Sequence, residues 1–184
     1  GINSPATGFI PDGVVDWDGS AWADNITDKS VYYDNDNFDA NLAKAKELLK
    51  EAGHENGAGL PAMSYTTNDA GLNKKVAEYL QQAWKELGIN VEVNIVEWKS
   101  FIPQRRSGNY QIARDGWVMD YNDPSNLLEC AYSSNGNNNS RYKNPEFDAL
   151  LDKAANESDA KTRFGYFHQA EELLLKDTGV IPLM

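Results

Sequence analysis

Residues 89–98, INVEVNIVEW, decide the fold class. Ile89, Val91, Val93 and Ile95 alternate with Asn90, Glu92 and Asn94, a two-residue period that predicts a strand with one apolar and one polar face. Val96 and Trp98 break the phase and put apolar groups on the opposite side at the strand's carboxyl end, where open α/β sheets hold ligands. Immediately upstream, Leu72, Val76, Tyr79, Leu80, Ala83, Trp84 and Leu87 recur at helical steps over residues 70–87, and Gly88 stops the run. Residues 60–67 read as a short strand before that helix. Residues 38–52 read as an earlier amphipathic helix, with Phe38, Leu42, Ala45, Leu49 and Ala52 on one side and Gly53 as its cap. Downstream, a helical stretch over 98–106 passes through Ser107 and Gly108 into a strand over 110–117. This alternation with short joins predicts an α/β fold: a mixed, mostly parallel sheet flanked by helices.

The flanks are less regular. Residues 120–143 form a long polar loop carrying one short helix at 127–132 and the Asn-rich run 133–140; such loops are more often functional than idle. Two amphipathic helices follow, 144–156 with Pro145 at its first position and 159–177, and residues 180–183 begin a strand at which the chain stops, as if cut. At the other end, residues 1–37 are rich in Gly, Asn, Asp and Pro and hold Trp17 and Trp22 without any period. They read as an irregular crossover segment ahead of a single α/β body over 38–184.

A chain of 184 residues is one ordinary domain or a piece of something larger, and its 41% hydrophobic content supplies a core. With 17 basic against 28 acidic side chains, the net charge of −11 repels phosphate backbones and anionic lipid, so no nucleic-acid partner is expected. No charged-then-apolar leader opens the chain, and its apolar runs fall short of the roughly 18 residues a membrane span needs. The single Cys130 excludes a disulfide framework and a Cys-based zinc site, and His54 and His168 are the only imidazoles. Neither a metal nor a cofactor is therefore expected.

Catalytic patterns are sparse. His54 follows the helix-stopping Gly53 in a turn and His168 sits inside an amphipathic helix, so both read as structural. No GxSxG elbow or phosphate-cradling glycine loop is present. Asp120, Asn122 and Asp123 have a calcium-like spacing, but Pro124 stands where the next ligand belongs and no closing Glu follows. Asp115 and Asp120 could pair for acid and base work, which leaves a carboxylate-dependent hydrolase as the enzyme alternative. A structural or adhesion module is a third reading. The informative cluster is cationic and aromatic: Trp98, Arg105, Arg106, Arg114, Trp117 and Asp120 fall within 23 residues and include 3 of the 17 basic residues. Guanidinium forks suit a carboxylate, a carboxylate suits an ammonium, and indoles suit apolar bodies, which together fit a small zwitterion. A solvated helix end with both Trp in the core accounts for the same residues.

The stretches ARDGWVMDYNDPSNLLE, RYKNPEFDALLDKA and KDTGVIPLM, with KAKELLKEAG, NKKVAEYLQQAWKELGINVEV and VEWKSFIPQRRSG, resemble the extracytoplasmic oligopeptide-binding proteins of bacterial ABC importers. The GW-x-x-DY-x-DP signature and its Y-x-N-P-x-F-D follow-on carry most of that likeness. The resemblance implies a two-lobed clamp of which this chain is one lobe, entered through a segment like GFIPDG. The implied partners are a short peptide, the opposing lobe and an ABC permease, in a monomeric, non-enzymatic protein of the periplasm or, as a lipoprotein, the cell surface. Asp120 would meet the peptide's α-amino group. Arg105 and Arg106 would serve its carboxyl end or acidic side chains, with Arg114 in the same cleft and Trp98 and Trp117 lining pockets beside Tyr121. Asn73 departs from relatives that offer a basic side chain there, which leaves peptide length open. A family member tuned to a dipeptide, a metal chelate or a sugar is the alternative within the resemblance.

Overall fold

The computed structural model describes residues 4–184. The chain divides into two compact units: Asp36–Gly116 forms one, and the described residues through Asn35 together with Trp117–Met184 form the other. The expected single body over 38–184 is therefore not the division found. The first crossing falls close to the expected boundary, but the N-terminal arm packs with the C-terminal helices, and a second crossing lies at Gly116 and Trp117.

The Asp36–Gly116 unit contains a three-stranded sheet in the order β2-β1-β3, where β1 is Met63–Asn68, β2 is Val91–Val96 and β3 is Ile112–Ala113. Both pairings are parallel, with Tyr65 opposite Val93 on one side and Ile112 on the other. The central strand is covered on both faces, and Tyr65, Thr66, Thr67 and Asn68 are all buried. Helix α2, Gly71–Glu86, supplies Ala77, Leu80 and Trp84 to a core shared with Tyr65 and Val91, and the Tyr65 and Trp84 rings meet edge-on at 6.0 Å. The Gln81 side-chain amide donates to the Val91 carbonyl at 2.7 Å, a further tie between α2 and β2.

The alternation in β2 translates into burial at one end only. Val91 is buried whereas Ile95 near the carboxyl end of this edge strand is 46% exposed, and Leu72 at the start of α2 is exposed as well. The predicted strand over 110–117 shrinks to two residues. Arg114 N–H still donates to Thr66 O at 2.9 Å, but Gly116 N–H turns back onto the Asp115 carboxylate at 2.7 Å and ends the ladder. Helix α1, Phe38–Glu51, forms where its periodicity places it, yet none of its residues is buried and Phe38 is 50% exposed. Within the unit α1 packs against the 3-10 turn Glu55–Gly57. Gly53, Gly88 and Gly108 stop α1, α2 and α3 (Trp98–Ser107) with positive φ, as the sequence anticipates for the first two.

The second unit is a helical layer wrapped by the N-terminal arm. Asn144 caps α5, Pro145–Ala155, by accepting from Glu146 N at 2.9 Å, and Asp159 caps α6, Ala160–Lys176, by accepting from Thr162 N at 2.9 Å. Phe147, Leu150, Leu151, Phe167, Ala170 and Leu174 interlock between them, and Leu127 and Leu128 of α4, Ser125–Leu128, join from the long loop. Ile10, Val14 and Trp22 complete the same core from the arm. The arm that reads as an irregular linker is thus an integral part of a unit.

One buried carboxylate organises that arm. Glu171 is 0% exposed; its Oε1 accepts from Phe9 N and Ile10 N, both at 2.7 Å, and its Oε2 accepts from Trp22 Nε1 at 2.7 Å and Tyr32 Oη at 2.8 Å. Burial and the adjoining Glu171 charge push the Tyr32 phenol far above its ordinary range, so it remains a donor. A Cβ at Gly8 would lie 2.8 Å from the Tyr32 ring and 2.9 Å from Glu171 Oε1, which requires glycine there. Beside this cluster His168 Nε2 meets Asp16 Oδ2 at 2.6 Å while its ring stacks on Trp22 at 3.8 Å. Residues 180–184 form no strand, contrary to the sequence expectation; Leu183 O accepts from Ala6 N at 3.1 Å without a ladder.

Candidate ligand-binding residues

The expected site residues fall into two groups. Trp117, Asp120 and Tyr121 belong to the helical unit, and Asn73, Trp98, Arg105, Arg106 and Arg114 belong to the sheet unit.

In the helical unit the DPSN turn, residues 123–126, fixes the first group. Asp123 Oδ1 accepts from Ser125 N at 3.0 Å and Asp123 O accepts from Asn126 N at 3.1 Å, which starts α4 directly behind Pro124. Asn126 is only 7% exposed, and its Oδ1 accepts from Trp117 Nε1 at 2.8 Å and from Asp120 N at 3.3 Å. One side-chain oxygen thereby fixes both the indole and the backbone of Asp120. Val118 between them stands 88% exposed, while Met119 packs on the core. The result is a surface turn that presents an indole, an isopropyl group and the exposed residues Asp120 and Tyr121, whose hydroxyl lies 3.5 Å from Ser125 Oγ. Asn122 Nδ2 ties the same loop to Gly13 O at 3.0 Å.

In the sheet unit α3 carries the cationic residues at its C-terminal end, where positive charge complements the helix dipole. Trp98 opens α3, half-exposed, with its ring 6.1 Å from that of the fully buried Phe101. The side chain of Arg105 is 11% exposed, its guanidinium 5.6 Å from the Phe101 ring centre and ion-paired with Asp115. Arg105 is therefore engaged inside its own unit, while Arg106, next to it, is exposed. The Arg114 guanidinium folds over Gly116, where a Cβ would come within 2.9 Å of its Nη2. Asn73 Nδ2 donates to Asn68 Oδ1 at 2.7 Å, joining the start of α2 to the carboxyl end of β1. Burial raises the Tyr65 phenol above its ordinary value against the opposing pull of Arg114.

Several members of the paired-carboxylate and calcium readings have structural partners. Asp115 is the partner of Arg105 and the acceptor for Gly116 N, Asp123 is held by Arg163, and the Asn122 amide serves Gly13 O. Among the described residues no three His, Cys, Asp or Glu side chains converge, and no helix is long and apolar enough to cross a membrane. His54, with Nδ1 2.9 Å from Ala58 O, and His168 both sit in local structural contacts.

Sequence reasoning singles out neither Asn126, Arg163 nor Glu171. Glu171 carried a signal: with Phe167, Ala170 and Leu174 it occupies the apolar stripe of α6, where a carboxylate needs partners. Asn126 and Arg163 carried none beyond the turn chemistry of Asp-Pro-Ser.

The chain belongs to the bacterial extracellular solute-binding proteins, family 5, whose Middle region matches residues 1–139. It is 34% identical over 181 residues to the dipeptide-binding protein DppE of Bacillus subtilis (strain 168), covering 97% of this chain and 32% of that one. It is 37% identical over 142 residues to the periplasmic oligopeptide-binding protein OppA of Salmonella typhimurium, covering 76% of this chain and 26% of that one. The crystal structure of Haemophilus influenzae OppA in complex with RPPGFSPFR superposes with a TM-score of 0.83 at 31% identity, covering 98% of this chain and 34% of that one. The chain thus spans between a quarter and a third of the length of these curated relatives.

Proposed function

We propose that the protein carrying this chain binds short peptides outside the cytoplasmic membrane and delivers them to an ABC permease, without chemical turnover. The observation that carries this reading is the turn over residues 117–121, in which Asn126 holds an exposed indole beside an exposed aspartate, in a chain whose relatives named above bind peptides. Asp120 receives the peptide ammonium, whose transfer out of water requires a charge partner and acceptors. Trp117, Val118 and Tyr121 offer apolar contact to the first side chains. On the sheet unit, Arg106, Arg114, Trp98 and Asn73 are the candidate ligand groups, while Arg105 is engaged by Asp115. Main-chain hydrogen bonds to an extended ligand would give affinity for many sequences, and hydrated pockets would tolerate different side chains.

Calorimetry with free-amine and N-acetylated tripeptides tests the reading. Free-amine peptides should bind more tightly by about ten- to hundredfold, as expected for one charge-assisted contact of 1.5–3 kcal/mol, and Asp120→Asn should erase the difference. Equal affinity of both peptides for the unmutated protein would refute the role of Asp120, and recovery of cleaved peptide would refute the non-enzymatic reading.

A further inference from the structure

We infer that Asn126 and Arg163 are positioning residues for the ligand-facing turn: Arg163 sets Asp123, Asp123 sets Asn126, and Asn126 sets Trp117 and Asp120. The ligand half of this inference rests on the proposed peptide-binding reading; the structural half does not.

Each link is a directional contact within one unit. Arg163 Nη1 donates to Asp123 Oδ2 at 2.8 Å and Nη2 to Oδ1 at 3.0 Å, a two-point fork that fixes the plane of the carboxylate. The guanidinium is itself held over the Phe167 ring at 4.6 Å and the Phe164 ring at 5.5 Å, on the helix that carries it. Asp123 Oδ1 also accepts from Ser125 N, so its orientation dictates how α4 begins. Asn126 lies one residue further on, buried, with its carbonyl oxygen shared between the Trp117 indole and the Asp120 amide. An amide oxygen has two lone pairs, and both are used here. Trp117 and Asp120 thus share one anchoring atom. Rotation of Asn126 releases both, and the turn loses the preorganisation that saves a ligand the cost of ordering it. Arg163 is linked to the turn through Asp123, whose own N–H donates to Tyr121 O at 3.1 Å and which also sets Asn126.

A merely structural ion pair between the DPSN turn and α6 would affect stability and nothing else. The test uses the 184-residue chain with ¹⁵N-labelled tryptophan and follows the indole N–H signals of Trp117 and Trp22. The Trp22 indole, bound by Glu171 in the same unit, reports whether that unit stays folded. Without ligand, Asn126→Ala should speed water exchange of the Trp117 indole N–H by about fivefold to tenfold, the equivalent of one lost hydrogen bond, and leave Trp22 unchanged. Asn126→Asp, which retains the acceptor oxygen, should remain near wild type. Arg163→Lys keeps the charge but loses the fork, and should raise Trp117 exchange by an intermediate factor; Arg163→Gln should raise it further. Titration with Ala-Ala-Ala and its N-acetyl form should then show the free-amine preference falling in the same order as Trp117 protection. Wild-type Trp117 exchange in both Arg163 variants, with only a lower melting temperature, would overturn the inference. If wild type itself shows no amine preference, the peptide reading fails, and the exchange data still decide whether Arg163 positions Trp117. If Arg163→Gln also exposes Trp22, the Lys variant decides.

Discussion

Replacing Glu171 by Gln alters one atom of the side chain and separates the arm's anchoring from its packing. The carboxylate accepts four hydrogen bonds from neutral donors, two on each oxygen. In the Gln variant the amide oxygen remains on Phe9 N and Ile10 N, and the amide NH₂ then faces Trp22 Nε1 and Tyr32 Oη. The phenol can turn and accept, but an indole is a donor only and is left unpaired against another donor. Loss of one charge-assisted bond, about 1.5–3 kcal/mol, and a buried orphan donor, about 1–3 kcal/mol, are opposed by relief from burying an ion. A net loss of about 2–4 kcal/mol is expected, large against the roughly 5–15 kcal/mol that holds a typical domain. With a urea dependence of about 2–3 kcal/mol per M, the unfolding midpoint of the helical unit should fall by about 0.7–2 M. The assay is urea titration of the intact chain read from the Trp22 indole signal, with amide exchange at Phe9 and Ile10 alongside. Protection of Phe9 and Ile10 should drop while amides of β1, in the other unit, keep theirs. Glu171→Leu, which leaves all four donors unpaired, should be worse than Gln. A Gln midpoint within about 0.3 M of wild type, with both amides still protected, would refute the view that the charge anchors the arm.

Two further outcomes concern other parts of the chain. Burial alone would raise the Asp123 carboxyl, but the Arg163 fork and the Ser125 hydroxyl and amide outweigh it and hold the group below its ordinary value. A depressed carboxylate stabilises the fold above its unfolded pKa of about 3.9 and ceases to do so as pH falls through the lower folded value. The melting-temperature gap between wild type and Asp123→Asn should therefore be widest near neutrality and close at pH values below that folded pKa; a gap that persists at pH 2 would contradict it. In the sheet unit, Gly53 and Gly88 both have positive φ, but a Cβ at Gly53 meets nothing within 4 Å whereas one at Gly88 runs into the backbone carbonyl of Asn56. Gly53→Ala should cost about 1 kcal/mol and Gly88→Ala about 2–4 kcal/mol by chemical denaturation followed at Trp84; equal costs would show that the backbone at Asn56 yields freely.

Local pattern made much of the fold legible. The run INVEVNIVEW, the helical spacing of α2, Pro145 at the start of α5 and the glycine stops each act through residues a few positions apart, and each element forms near where its pattern lies. Parallel pairing followed from strands joined through helices. Trp117, Asp120 and Tyr121 fall together in the family motif, and the structure places them in one exposed turn held by Asn126.

Periodicity identifies an apolar face but says nothing about what covers it, which is why α1 has its pattern and no buried residue. It also cannot see partners far away along the chain. Glu171 meets Phe9 and Ile10 across more than 160 residues, His168 meets Asp16 across 152, and Arg163 reaches Asp123 across 40. The Glu171 and His168 contacts turn an apparently irregular arm into part of a core. The sequence by itself determined the helices and the two longer strands and which family the chain resembles, because those depend on neighbours within a turn or two. Only the tertiary structure decided which polar groups are consumed by the fold and which face solvent, because a buried charge is fixed by donors that the chain brings from elsewhere.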